Sequence, residues 1–98
     1  MLPKKWPFNQ AMVAHAPEDP GVFLLWDGDE CIYVGHARHE TIRAALLRHM
    51  EGVSGACTKA ATHYSWEITI WPAARETQLL AEFSAKHRRD PRCQQKTG

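Results

Sequence analysis

Pro20 to Gly35 reads "PGVFLLWDGDECIYVG". Two apolar runs flank a short polar centre, and the centre holds Asp27-Gly28, a strong signal for a tight hairpin turn. Val22 to Trp26 reads as one strand. Glu30 to Val34 reads as its return, rich in β-branched and aromatic residues in its second half. The hairpin is framed by two glycine-bearing tripeptides, Gly21-Val22-Phe23 and Tyr33-Val34-Gly35. Gly35 is read as the point where the chain turns sharply after the second strand.

Working outward, "MLPKKWPFNQAMVAHAPED" before the hairpin carries three prolines. It reads as an extended arm pinned to the body by Trp6 and Phe8. After the hairpin, His39 to Met50 reads as a helix, with Ile42, Ala45, Leu46 and His49 at i, i+3, i+4 and i+7 on its buried face. Gly52 stops it. Residues 52–62 read as a small-residue loop with room for one helical turn. "HYSWEITI" then alternates Tyr64, Trp66, Ile68 and Ile70 against Ser65, Glu67 and Thr69, the pattern of a half-buried strand ended by Pro72. Ala74 to about Lys86 reads as a second helix with Leu79, Leu80 and Phe83 inward, and Pro91 opens an irregular tail.

The order β-β-α-β-α predicts an α+β fold, a small three-stranded antiparallel sheet flanked by helices. Ninety-eight residues suit a single domain over 1–98, divided into an arm (1–15), a core (16–94) and a tail (95–98). A net charge of +1 neither requires nor excludes a nucleic-acid partner. Acids gather at Asp27, Asp29 and Glu30, bases at Lys86, His87, Arg88, Arg89 and Arg92, the latter reading as a solvated helix end. No run is long enough to span a membrane. The start lacks a signal-peptide apolar region, which predicts a cytoplasmic protein. Cys31, Cys57 and Cys93 are odd in number and widely spaced, arguing against a disulfide framework, and no cysteine–histidine spacing suits structural zinc.

Chemistry-bearing residues follow the second strand. Tyr33, His36, Arg38, His39 and Arg43 lie within eleven positions. A phenol, an imidazole and guanidinium groups at one strand end have the chemistry of a phosphate site. The second helix adds Glu76 and Glu82. A carboxylate at the edge of an apolar stripe, as Glu82 is beside Leu80 and Phe83, suits Mg²⁺, which takes one or two carboxylates with waters and substrate phosphates. His49 reads as a core-edge histidine.

Together these segments resemble the GIY-YIG endonuclease superfamily, particularly its excision-repair branch. The likeness rests on Gly21-Val22-Phe23, on Tyr33-Val34-Gly35, on the lead-in "APEDPGVF" (Ala16 to Phe23), on Arg43 eight residues after Gly35, and on "LLAEFSAKHRRDPRCQ" with Glu82 and Pro91. The resemblance implies a divalent-metal-dependent endonuclease hydrolysing DNA phosphodiester bonds. Tyr33 would orient or activate water, Arg43 contact the phosphate, and Glu82 hold one Mg²⁺ or Mn²⁺ ion. His36 would shuttle a proton where the repair nucleases have lysine. Gly21, Phe23, Gly35 and Gln94 would line the site. DNA would be bound through phosphates, with specificity from a protein partner or a homodimer. Phe23 departs from the pattern: it stands where the first motif tyrosine is expected and lacks the hydroxyl, for which His36 is the candidate substitute. The alternative that follows is a catalytically weakened module of this fold that binds nucleic acid or protein.

Overall fold

The computed structural model describes residues 4–94. The tail at 95–98 lies outside the described residues. In chain order the elements are β1 (Trp6–Pro7), α1 (Gln10–Val13), β2 (Gly21–Asp27), β3 (Glu30–Ala37), α2 (Ile42–Met50), α3 (Ala56–Lys59), β4 (His63–Ile68) and α4 (Pro72–His87). The fold is α+β, and the core order β-β-α-β-α is as expected. The sheet has four antiparallel strands rather than three, in the order β1-β4-β2-β3. The extra strand comes from the presumed arm, where Trp6 pairs with Tyr64 and Pro7 with His63. Asn9 then caps α1 by accepting from the Met12 amide.

The β2–β3 hairpin turns through Gly28 and Asp29, with Gly28 in the left-handed region at φ 60°. The hairpin register slips between Leu25 and Trp26, so that Tyr33 pairs with Leu25 but Cys31 with Trp26. Ile32 is the extra residue of a β-bulge, and a bulge re-aims the side chains beyond it. Ile32 joins Phe23, Leu25, Ala37, Ile42 and Leu46 in the core beneath α2, and Tyr33 packs against the same core. Cys31, Val34 and Trp26 lie on the opposite face, with Leu79, Leu80 and Phe83 of α4 packed against them. Strict alternation would have sent Ile32 and Tyr33 to different faces.

β3 extends past Gly35 to Ala37, so the expected sharp turn does not occur there. The glycine answers a different need. A Cβ on Gly35 would lie 2.6 Å from Phe23 Cζ and 2.7 Å from Tyr33 Cε2. Gly21 is crowded likewise, a Cβ there meeting the Glu67 carbonyl oxygen at 2.3 Å. α2 begins at Ile42 rather than His39, because Thr41 caps it by accepting from the Ala44 amide.

β4 departs most from its pattern. Tyr64 is buried, and its hydroxyl donates to the Met12 carbonyl at 2.8 Å. Trp66, Ile68 and Ile70 are exposed, to 37%, 51% and 82%. β1 pairs only with His63 and Tyr64, leaving the far end of β4 uncovered. The two charge clusters meet each other. Arg92 donates to Glu30 and Asp27 at 2.8 and 2.7 Å, and Arg89 lies 3.5 Å from Glu30. Arg89 and Arg92 of the basic run thus reach the hairpin turn, while Lys86, His87 and Arg88 are exposed at the helix end.

Cys57 and Cys93 form a disulfide, Cα atoms 5.6 Å apart, joining α3 to the segment after α4. This corrects the expectation from an odd cysteine count: the unpaired member is Cys31, buried behind α4. Burial pushes its thiol up to about 11. Among the described residues no helix is long and apolar enough to cross a membrane.

Candidate active site

β3 is an edge strand, and edge strands present unpaired backbone groups. Here the segment after α4 covers part of that edge. The Cys93 amide donates to Ile32, and the Gln94 side chain clasps Val34, accepting from its amide at 3.1 Å and donating to its carbonyl at 3.0 Å. Gln94, expected to line the site, thus acts on it through the backbone beside Tyr33. Around Val34 the edge carries Tyr33 and Gly35 on one face and His36 on the other.

On the α2 face, Phe23 and Tyr33 approach over Gly35 with ring centroids 6.1 Å apart. His49, 3% exposed, completes the group, its ring 5.4 Å from Phe23 and 4.9 Å from Tyr33. Its Nδ1 lies 3.0 Å from Thr58 Oγ1. Burial holds the His49 pKa below its ordinary value; the Arg48 charge adds to this and Glu40 opposes it. Burial likewise raises the Tyr33 hydroxyl, helped by the Glu76 charge and opposed by Arg48.

On the α4 face, His36 Nδ1 lies 2.6 Å from Glu76 Oε1, both side chains partly exposed. Glu76 shares a helical stripe with Leu79, Leu80 and Phe83, all turned to the sheet. Six residues further on, Glu82 is rotated by about 120° from that stripe. Its side chain is 64% exposed, lies 3.9 Å from Arg75 and borders the cavity between α4 and the hairpin. The carboxylate bonded to His36 is Glu76, and Glu82 makes its contact with Arg75.

The arginines show a similar exchange. Arg43 donates from Nε to the Ala16 carbonyl at 2.9 Å and lies 3.3 Å from Glu18, which fastens the "APED" lead-in to α2. The arginine whose charge reaches Tyr33 is Arg48, held by both oxygens of Glu40. That ion pair lowers the Glu40 pKa, chiefly through the hydrogen bond. Of the expected set, the structure brings Tyr33, Phe23 and Gly35 together on one face of β3 and sets His36 on the other. It adds Glu76, Arg48 and His49, and places Arg43 and Glu82 in other contacts. Among the described residues no three His, Cys, Asp or Glu side chains converge as a metal cage. A site with one carboxylate and otherwise water suits Mg²⁺, which keeps most of its hydration shell. Glu76 fits that role, because only its Oε1 is engaged among the described residues.

No family model and no curated protein sequence matches the chain. Solved structures do. The GIY-YIG N-terminal endonuclease domain of UvrC from Thermotoga maritima, bound to its catalytic magnesium, aligns with a TM-score of 0.58 at 22% identity, covering 85% of this chain and 91% of that one. A tyrosine-to-phenylalanine variant of the same domain, also bound to the catalytic divalent cation, aligns at 0.60 and 22% identity, covering 88% and 93%. An asparagine-to-alanine variant with its cation aligns at 0.61 and 19% identity with the same coverage. The chain has the GIY-YIG-like nuclease-domain fold.

Proposed function

We propose that this protein is a divalent-metal-dependent endonuclease that hydrolyses DNA phosphodiester bonds. The observation that carries this reading is the short His36–Glu76 contact on one face of the β3 edge, with Tyr33 on the other face near enough to feel the Glu76 charge. A phenol, an imidazole and a helix carboxylate from three separate positions in the chain come to one strand edge, on a nuclease-domain fold. Mg²⁺ or Mn²⁺, one ion held by Glu76, would supply neutralisation of phosphate charge as it develops in the transition state. Tyr33 orients the attacking water. His36, bonded to Glu76, orients that carboxylate. Arg48 supplies fixed positive charge beside Tyr33, and Arg43 holds the lead-in segment that carries Gly21 into the sheet.

DNA is bound mainly through phosphates, so binding is salt-sensitive and weak in sequence preference. Specificity then comes from a protein partner or a second copy. The exposed Trp66, Ile68, Ile70 and Trp71 at the uncovered end of β4 form a surface suited to either. The expected setting is the cytoplasm. Phe23 favours a second reading, a weakened module that binds nucleic acid or protein without cutting.

The test is cleavage of supercoiled, linear and branched DNA with and without Mg²⁺ or Mn²⁺. Glu76→Gln is expected to lower metal-dependent cutting by about 10²–10³-fold, and Glu82→Ala to leave it within about twofold, the range of a surface change away from the site. Loss on Glu82→Ala with retention on Glu76→Gln would reverse the assignment. Salt-dependent DNA binding without cutting in any metal would favour the module.

A further inference from the structure

The unexplained feature is Phe23. It has the ring of the missing tyrosine but no proton to give or take. His36, the residue expected to compensate, lies on the other face of the hairpin: it pairs across the strands with Val22, whereas Phe23 pairs with Gly35. Its Nδ1 is engaged by Glu76. The titratable side chain that packs against both Phe23 and Tyr33 is His49.

Three observations set His49 apart from an ordinary core residue. Its imidazole packs against both motif rings. Nδ1 is anchored on Thr58, while Nε2 has no hydrogen-bond partner among the described residues. The ring is only 3% exposed, so it is held by packing and by Thr58 rather than by solvent. Residues facing His49 are Phe23 from β2, Tyr33 from β3, Thr58 from α3, its neighbour Arg48 on α2, and Glu40 ahead of α2.

We propose that His49 is a positioning residue for Tyr33 that stands in for the hydroxyl absent at Phe23, with Nδ1–H donating to Thr58 and Nε2 accepting the proton released through Tyr33. This rests on the nuclease reading. In the step, a water O–H bond breaks and its oxygen bonds to phosphorus. The released proton passes by way of the Tyr33 hydroxyl to Nε2. The phosphorus–oxygen bond to the leaving group breaks, and that oxygen takes a proton from solvent. His49 returns to neutral by giving up its proton, and no oxidant or reductant is involved. Burial keeps the imidazole neutral at the start, as an acceptor must be.

Two measurements test this. A long-range proton–nitrogen NMR spectrum of the full chain is expected to show His49 protonated on Nδ1, and His49→Gln is expected to move the Tyr33 phenol titration. A proton on Nε2, or an unmoved Tyr33, overturns the proposal whether or not the protein cuts DNA. Cleavage in Mg²⁺ supplies the second. His49→Gln should cost about 10²-fold in the natural Phe23 background, and much less once Phe23→Tyr restores a hydroxyl. Equal losses in both backgrounds overturn it. If His49→Gln fails to fold, Thr58→Val replaces it, with a shifted tautomer and the same background-dependent loss expected. Failure of every version to cut refutes the nuclease reading, and the NMR result then decides the His49–Tyr33 coupling alone.

Discussion

The two faces of the β3 edge are built on opposite principles. On the α2 face, Phe23 and Tyr33 pack over a glycine with His49 against both, and the polar atoms are few. On the α4 face, His36 and Glu76 are joined by one short hydrogen bond and both are partly open to water. Shape is limiting on the first and charge on the second. A substitution that leaves charge unchanged can therefore wreck the first face, while one that leaves volume unchanged can disable the second.

The largest effect that separates the faces is expected for Tyr33→Phe. It preserves the packing over Gly35 and removes only the hydroxyl, so cutting should fall by about 10²-fold or more with little change in the melting temperature. A large drop in stability would instead make Tyr33 chiefly a packing residue.

Next comes the disulfide that fastens supports of both faces. Thr58, beside Cys57, holds His49; Gln94, beside Cys93, clasps Val34. Reduction, or Cys57→Ser, is expected to cost about 2–4 kcal/mol in denaturant unfolding. Cytosolic thiols would hold such a pair open, so the comparison of reduced and oxidised protein also bears on where the protein works. Equal stability in the two states would show that the link constrains nothing.

Gly35→Ala acts only on the ring face. Its Cβ has no room beside Phe23 and Tyr33, and overpacking of this kind costs about 1–3 kcal/mol. Unchanged unfolding would mean that the rings yield freely.

The smallest effect is a pH slope. The His49 pKa is lowered in the folded chain relative to its ordinary 6.5, so the unfolded chain binds the extra proton first. Its contribution to stability is complete above 6.5 and is lost as pH falls through the lower folded value. Thermal melts should show that acid-side slope, and His49→Gln should flatten it. A slope unchanged by His49→Gln would assign it to other groups.

What was legible in the sequence was local. Asp27-Gly28 declared the hairpin, the i, i+3, i+4 spacing declared α2, and the two tripeptides placed Phe23 and Tyr33 near one another. What was hidden depended on phase and register. Glu82 sits between apolar neighbours in the chain, yet the stripe Leu79, Leu80, Phe83 reaches back to Glu76, four residues before Leu80. The bulge at Ile32 has no glycine or proline to announce it, yet it decides which face Tyr33 joins. Arg43 keeps the expected spacing but is held by Ala16 and Glu18, and Arg48 was inconspicuous because its partner Glu40 precedes the helix. The Cys57–Cys93 bond joins residues with a sequence separation of 36, brought together only by the folded tail.

That bond also changes what a cut to the chain would do. β4 and α4 both lie inside the covalent ring it closes. A protease that nicks the connection at the exposed Ile70 and Trp71 would leave two peptides still tied as one molecule, with the strand and helix free to stay docked. Separated by gel without reductant, such a nicked protein would run as a single chain. With reductant it would fall into two.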